Sequence, residues 1–523
     1  MIYLPYVCTK KINRSGSTSV VIVDKSNGKI RYLKTIGVSS NEETIAVLYR
    51  QGKEWIADYD GSVDMFVHQA RMEEEKELTE HLLSNVENIL LNGTQLILNR
   101  VFKTIGFDAV DDEILKHLVI SRLCQPSSKT GTVEYLKSYF DEDLKLHKIY
   151  RYLDKVSSSL KEAIQQISVE HTQKILGGRI GLVFYDVTTL YFETDTEDDL
   201  RKPGFSKDGK HMHPQVVLGL LVSVGGYPLA YSINEGNKYE GHTMLPVVED
   251  FVKKFNLKDF VVVADSGLMN NDNIEILEGK NYKYILGARI KCEKKAVADW
   301  ILSQKRLDGT FYEYGKPCGR RLIVSYSEKR AKKDAYNRKK GLGRLEKEYR
   351  NGSLTKGKIN KRGYNRFLEI ENKVSVRINY EKIKDDERWD GFKGYITNTT
   401  LPSSMVYEQY RDLWQIEHAF RVSKGALGLR PIFHFTPKRI DAHVCICFVA
   451  YKVYKELQRI LKMNGIGPSV DKVLSIAKTI TTLKIKLPVS GKTIYKTMLL
   501  TEKQKTLSML FDEEFWKCRL GVA

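Results

Sequence analysis

Cysteine is scarce in this chain: its 523 residues hold seven, at positions 8, 124, 292, 318, 445, 447 and 518, with no Cys-x-x-Cys pair and no histidine cluster at zinc spacing. An odd, scattered set excludes a disulfide framework or a zinc ribbon and fits a reducing, cytosolic setting. Long apolar runs are missing too. The start, MIYLPYVCTKK, has a short apolar stretch and no small-residue cleavage site, so no secretory signal is expected. The stretch Met212 to Asn234, which holds no Asp, Glu, Lys or Arg, is interrupted by Gly225-Gly226-Tyr227-Pro228. It reads as two buried strands joined by a hairpin, and no membrane span is expected. Acidic residues are in deficit: 65 Asp and Glu stand against 84 Lys and Arg, leaving +19. That surplus makes small neutral ligands a poor expectation and points to a polyanion, nucleic acid before anionic membrane.

What is present is an ordinary globular composition, 42% apolar and 28% charged, in a chain long enough to bury a large core and divide into several units. Residues 1–65 read as a small β unit, because apolar and polar positions alternate around the hairpin signal Asn27-Gly28. Residues 66–175 turn to helical periods, with Asp111-Asp112 and Ser158-Ser159 as N-terminal caps. This region is a packing domain or a DNA-contacting one; no sharp helix-turn-helix spacing decides between them.

From 176 to 295 the rhythm becomes β-β-β-α-β-α-β, in RIGLVFYDVTTLYF, HPQVVLGLLVSV, YPLAYSIN, EGHTMLPVVEDFVKKF, DFVVVADSG, NDNIEILEG and YKYILGARI. That order predicts an α/β fold with a mixed sheet flanked by helices, not a fully parallel doubly wound one. Residues 296–390 interrupt it and are expected to form a β-rich basic insertion. Within it, positions 326 to 366 hold 15 Lys or Arg against 4 Asp or Glu, a net of +11 in 41 residues. Such a run is either a solvated face or a phosphate-binding surface. The core resumes over 391–460 with GFKGYITNT, one long helix YEQYRDLWQIEHAFRVSK and an apolar helix RIDAHVCICFVAYKVYKELQRIL, and 461–523 reads as a helical tail.

Two carboxylates stand where chemistry is expected. Asp186 and Asp265 each read as the end of an apolar strand, and a buried strand rarely ends in an ionised carboxylate that lacks a partner. A cation such as Mg²⁺, which takes one or two carboxylates and completes its shell with water and phosphate oxygens, would supply one. A cap or a salt bridge is the plainer account of either alone. The third element is the helix around Glu417, where Tyr410, Glu417 and Lys424 recur every seven residues along one stripe beside Trp414. An ordinary i, i+4 pair of Glu417 with Arg421 explains part of that pattern but not its aromatic residues.

Together, YDVTTLYFE, HPQVVLGLLVS, ADSGLMN, GYITNT and YRDLWQIEHAFRVSK resemble, in order and over roughly residues 176 to 455, the blocks of DDE-type insertion-sequence transposases with an RNase H-like core. The subgroup is the one marked by Tyr-x-x-Arg-x-x-x-Glu-x-x-x-x-x-x-Lys. The resemblance implies Asp186, Asp265 and Glu417 as the catalytic triad, holding two Mg²⁺ ions or Mn²⁺ as a substitute. It implies DNA contacts at Tyr410 and Lys424. Leu413 stands where the pattern expects Arg, so Arg411 or Arg421 would take over its phosphate contact. Lys332, Lys333, Arg338, Lys339 and Lys340 would hold DNA backbone.

The function so implied is cut-and-paste movement of an insertion sequence through a hairpin on the element's end. Its partners would be the terminal inverted repeats and target DNA, and its working form a homodimer on paired ends in a prokaryotic cytoplasm, at the nucleoid. The alternatives are a transposase-derived DNA-binding protein that no longer cuts, and a Mg-dependent nuclease or phosphatase. A phospho-aspartate phosphatase is disfavoured because Thr188, not Asp, follows two residues after Asp186.

Overall fold

The computed structural model describes residues 5–520, apart from 27, 61–64, 157–158, 206–211, 256, 258, 269–270, 352–359, 361–362, 372–374, 512 and 517–518. It divides into two compact units, one of residues 1–89, 483–496 and 518–523, the other of 90–482 and 497–517.

The first unit opens with an antiparallel sheet of β1 (Tyr6–Ile12), β2 (Thr18–Asp24) and β3 (Arg31–Ser39). The expected hairpin joins β2 to β3, with Gly28 at φ 71°; Asn27 lies outside the described residues. The sheet stops well short of residue 65. Asn41 Oδ1 accepts the amides of Glu43 (2.8 Å) and Thr44 (3.2 Å), which starts a helix over Glu42–Asp60. Ile45, Leu48, Tyr49 and Ile56 recur at helical spacing and cover the buried Cys8 and Val20, so burial of one stripe overrides the β alternation read from the sequence. A second helix, Met65–Ser84, leads to β4 (Val86–Leu90), a strand inside the stretch expected to be helical.

In the larger unit, five helices lie between Gly93 and Ile175, and all but Lys129–Phe140 pack with a long helix, Pro437–Met463. Asp112 caps the helix Glu113–Cys124 by accepting the Leu115 amide at 3.0 Å, as its position predicts. Ser158 lies outside the described residues. The β-β-β-α-β-α-β rhythm is present as β5 (Leu182–Tyr191), β6 (Gln215–Ser223), β7 (Pro228–Glu235), β8 (Val261–Ala264) and β9 (Lys283–Ala288), with helices Met244–Phe255 and Asn271–Gly279 between them. Gly225 and Gly226, at φ 83° and 74°, make the turn between β6 and β7. The Gly-Gly dipeptide is needed there because a side chain resists positive φ.

Two of the strands expected in the insertion, β10 (Phe311–Gly315) and β11 (Arg321–Tyr326), do not form a separate body. Together with β14 (Phe392–Thr397) they extend the main sheet, in the order β10-β11-β14-β9-β8-β5-β6-β7. β5, β8 and β9 are parallel neighbours and every other pairing is antiparallel, so the sheet is mixed and RNase H-like as expected. Insertion strands that would expose an unpaired edge if they stood alone find partners on this one. The basic run is mainly a helix, Glu328–Arg350, followed by a small hairpin of β12 (Leu368–Glu371) and β13 (Ser375–Ile378). Its Ala, Lys, Arg and Glu content favours helix wherever β-branched residues are absent.

Side chains alternate across β5. Val183, Tyr185 and Val187 join one core, with the helix Met244–Phe255. Phe184 and Leu190 join the other, with the helices Trp414–Lys424 and Pro437–Met463. The tail is not purely helical: β15 (Thr481–Lys486), β16 (Thr493–Met498) and β17 (Arg519–Leu520) form a sheet with β4. TTLKIK and TIYKTM alternate β-branched and polar residues, a strand pattern within an otherwise helical texture.

Candidate active site

Asp186 lies in the middle of β5, not at its end, while Asp265 does follow the last residue of β8. Register explains why both positions matter. β5 and β8 run parallel, with Phe184 opposite Val263 and Tyr185 opposite Ala264, so the next step along both strands sets Asp186 beside Asp265. Neighbouring strands lie about 4.8 Å apart, and side chains one step past an opposed pair share a face. Phe184 and Val263, two residues earlier, both belong to the core beneath the helix Trp414–Lys424. The two carboxylates therefore emerge on that helix's side of the sheet.

Glu417 is exposed on that helix, which packs against β5. The expected single helix from Tyr407 to Lys424 is broken, however. Ser403–Arg411 and Trp414–Lys424 are separate helices, and between them Leu413, Gln415 and Ile416 donate to carbonyls three residues back. This tightening ends the seven-residue stripe, so Tyr410 and Glu417 do not share one helix face. Burial of Leu413, 7% exposed in the core, accounts for an apolar residue where an arginine was expected. Arg411 and Arg421 are exposed and Lys424 is half-buried. Among the described residues Glu417 makes no ion pair, so the i, i+4 bridge to Arg421 does not form.

Tyr410 is buried, which removes it as a direct DNA contact. It serves Asp265 instead, donating its hydroxyl to Oδ1 at 3.0 Å. Burial and then the charge of Asp265 push its phenol far above the usual range, so it stays a donor. The Ser266 amide donates to the same oxygen at 2.6 Å. Gly287 makes this approach feasible, because a Cβ there would lie 2.5 Å from the tyrosine oxygen and 2.9 Å from the Ser266 nitrogen. Arg289 Nε ties the loop down by donating to the Ser266 carbonyl at 3.0 Å.

Sequence reading missed Lys393. Its Nζ sits 4.4 Å from the centre of the Tyr410 ring. Burial and nearby Arg330 push its ammonium down, and the carboxylates of Asp265 and Glu417 pull it back up, so it senses both. Its signal was its place in GFKGYITNT, the one charge in a strand next to β9, but nothing local tied it to either acid.

Asp265, Lys393, Tyr410, Arg289 and Arg330 line a cleft of about 660 Å³ with the inner face of the basic helix. Lys332, Lys333, Lys339 and Lys340 are exposed on that helix. Arg338 departs from them: it is buried, and its guanidinium is held bidentately by Asp390, with NH1 at 2.7 Å. Asp386 and Glu387 stand at 3.6 and 3.5 Å. A buried fork satisfied by carboxylates cannot also take a phosphate.

Among the described residues no three acidic, histidine or cysteine side chains converge closely enough to hold a metal ion. Asp186 and Asp265 are adjacent hard-oxygen donors of the kind Mg²⁺ prefers, and Glu417 is on the helix that covers them. The donor chemistry fits a divalent ion.

A family model described as "Transposase DDE domain" matches residues 177–452, and the chain belongs to this family. That span holds both aspartates, Glu417 and Lys393. A cryo-EM structure of the piggyBac transposase synaptic complex with hairpin DNA is similar at 9% identity and a TM-score of 0.39, covering 70% of each chain. The Mos1 transposase paired-end complex with left transposon end is similar at 9% identity and a TM-score of 0.16, over 33% of this chain and 58% of that one. A search of curated proteins finds no match. No described helix is long and apolar enough to cross a membrane.

Proposed function

We propose that this transposase-family chain cuts and joins the DNA ends of an insertion sequence by phosphoryl transfer, in a cut-and-paste cycle. The observation that supports this most is the register of β5 and β8, which sets Asp186 beside Asp265 under the Glu417 helix. In the first step a water oxygen bonds to phosphorus and the bond to the 3′ oxygen breaks, leaving a 3′-hydroxyl and a 5′-phosphate. In the second, that hydroxyl oxygen bonds to phosphorus on the opposite strand, its proton passes to solvent and the flanking DNA's 3′ oxygen leaves, closing a hairpin on the element's end; water then reopens the hairpin, and the regenerated 3′-hydroxyl bonds to a target phosphorus as a target 3′ oxygen leaves.

Asp186, Asp265 and Glu417 would hold two Mg²⁺ or Mn²⁺ ions, which when bound lower the barrier by polarising the attacking oxygen and stabilising the leaving one. Tyr410 and the Ser266 amide fix the rotamer of Asp265. Lys393 balances charge between Asp265 and Glu417 and offers a donor to a phosphate oxygen. Lys332, Lys333, Lys339 and Lys340 contact DNA backbone without reading bases, and Arg411, Arg421 and Lys424 carry phosphates nearer the carboxylates. Two copies acting on paired ends, each cutting one, complete the reading.

The test is metal-dependent cleavage of a DNA fragment carrying one element end. Asp186→Asn, Asp265→Asn and Glu417→Gln should each lower cleavage by a factor of about 10³ or more while end binding changes little, since metal positioning is lost and phosphate contacts remain. Undiminished cleavage by the Asp265→Asn chain would falsify the assignment. Binding without cleavage by the unaltered chain would identify a silent DNA-binding descendant instead.

A further inference from the structure

A second cleft, of about 550 Å³, shares no lining residue with the first. It opens between the first turn of the helix Lys129–Phe140 and the loop that leads into Pro437–Met463. Two cations are buried in its wall, Arg122 at 7% exposed and Lys129 at 6%. Arg122 donates to the Gly428 carbonyl at 3.3 Å and lies 3.5 Å from His443 Nδ1. Lys129 has no hydrogen-bonding partner among the described residues, and neither cation has a carboxylate at ion-pair distance there. Arg439, in the same wall, is already engaged by Asp154 through bonds of 2.8 and 2.9 Å.

Adjacent buried cations without a counter-charge are costly, and proteins ordinarily pair them. The strain shows in the titration of the site. Burial and then Arg122 push Lys129 down to about 7, and burial with the same cations holds His434 down to about 4. The histidines thus add no positive charge, and what is missing is an anion. The helix N-terminus points the same way, since the positive end of its dipole and its early amides favour a phosphate. At the mouth, Phe433 is 68% exposed. An aromatic face beside two cations suits a phosphate that carries a planar base, not a bare anion.

We propose that this cleft is a nucleotide-binding site, seating the phosphate of a nucleotide, free or within a strand, against Arg122 and Lys129 with the attached base on Phe433. The Arg122 N–H groups not engaged by Gly428 and His443, together with a lysine point charge, complement a phosphate's oxygens. The site is independent of the carboxylate chemistry, so the Asp265→Asn chain should bind as the unaltered chain does.

The experiment is calorimetric titration of the full chain with deoxyadenosine 5′-monophosphate. The expected result is saturable binding, weakened about tenfold or more in Lys129→Gln and about tenfold in Phe433→Ala. Since Phe433 is at the surface, that second variant keeps the test valid should Lys129→Gln fail to fold. Deoxyadenosine and inorganic phosphate, titrated separately, should each bind at least tenfold more weakly than the nucleotide. Competition with a short oligonucleotide lacking a terminal phosphate distinguishes the source: displacement assigns the site to an internal phosphate of a strand, and persistence assigns it to a free or terminal one. Absence of binding, or equal affinity in the Lys129→Gln and Phe433→Ala chains, would overturn the proposal.

Discussion

The two clefts of the larger unit contain similar side chains in opposite electrostatic states. Around the first, beside Asp265, the cations are interleaved with acids: Asp390 takes Arg338, and Asp386 takes Lys291 at 2.6 Å and Arg366 at 2.9 Å. Burial alone would raise Asp386, but the Lys291 ammonium and the neighbouring arginines hold it below the usual carboxylate range. Around the second, Arg122 and Lys129 are buried without acids. The densest basic run in the sequence is therefore largely self-compensated where it turns inward. The less conspicuous cations are the ones left without counter-charges. Counting charge along a chain locates a surface; only counting it in space locates an unmet charge.

The comparison breaks most visibly at Arg338. Arg338→Ala leaves the half-buried Asp390 without its guanidinium, while Asp386 keeps Lys291 and Arg366, and should cost about 3–5 kcal/mol by urea denaturation. Changing Lys332, Lys333, Lys339 and Lys340 to Gln should move stability by only about 0.5 kcal/mol. It should instead flatten the slope of log DNA affinity against log salt by roughly 0.9 for each lost phosphate contact. If Arg338→Ala were as mild as the four-lysine change, paired and solvent-facing cations on this helix would be energetically alike.

A smaller effect is expected at Gly287. Gly287→Ala forces a methyl between Tyr410 and Ser266, which should cost about 1–3 kcal/mol and lower end cleavage by displacing the tyrosine from Asp265. Wild-type cleavage rates in that variant would show that the Tyr410 bond does not position the carboxylate.

The last effect concerns Lys129, and its size depends on pH. Its folded value is about 7 against the ordinary 10.5. Below pH 7 the folded chain carries the buried charge at full cost, whereas between 7 and 10.5 the folded state is neutral while the unfolded state is protonated. Stability from this group therefore rises with pH across that window. Lys129→Met should raise the urea midpoint at neutral pH and lose that advantage as the pH approaches about 10. A gain that does not depend on pH would mean that the lysine is not buried as a charge.

Several local elements were legible before the fold was known. YDVTTL, ADSG and the Gly-Gly hairpin carry period-two alternation or turn chemistry, which depend on immediate neighbours, and they appear in the structure where the sequence suggests. The helix after Ser39 was missed because a β pattern and an N-cap overlap near Asn41, and burial against Cys8 and Val20 decided between them. Lys393 was missed because its meaning lies in Asp265 and Glu417, which come from other elements. The stripe of Tyr410, Glu417 and Lys424 was over-read, because seven-residue spacing implies one face only if the helix is unbroken, and a tight turn at Leu413 breaks it.

By itself the sequence determined the strand and helix alternation of residues 176–295 and the surplus of positive charge, which depend on side-chain periodicity and composition acting over a few residues. The two aspartates and one glutamate of the proposed chemistry came from the resemblance of its blocks to a transposase family. Tertiary structure alone decided that Asp186 and Asp265 stand side by side, that insertion strands complete the central sheet, and that Arg338 is neutralised while Lys129 is not. Arg122 meets the Gly428 carbonyl across a separation of 306 residues. Such a meeting is fixed by which faces must be buried together, and no local spacing encodes it.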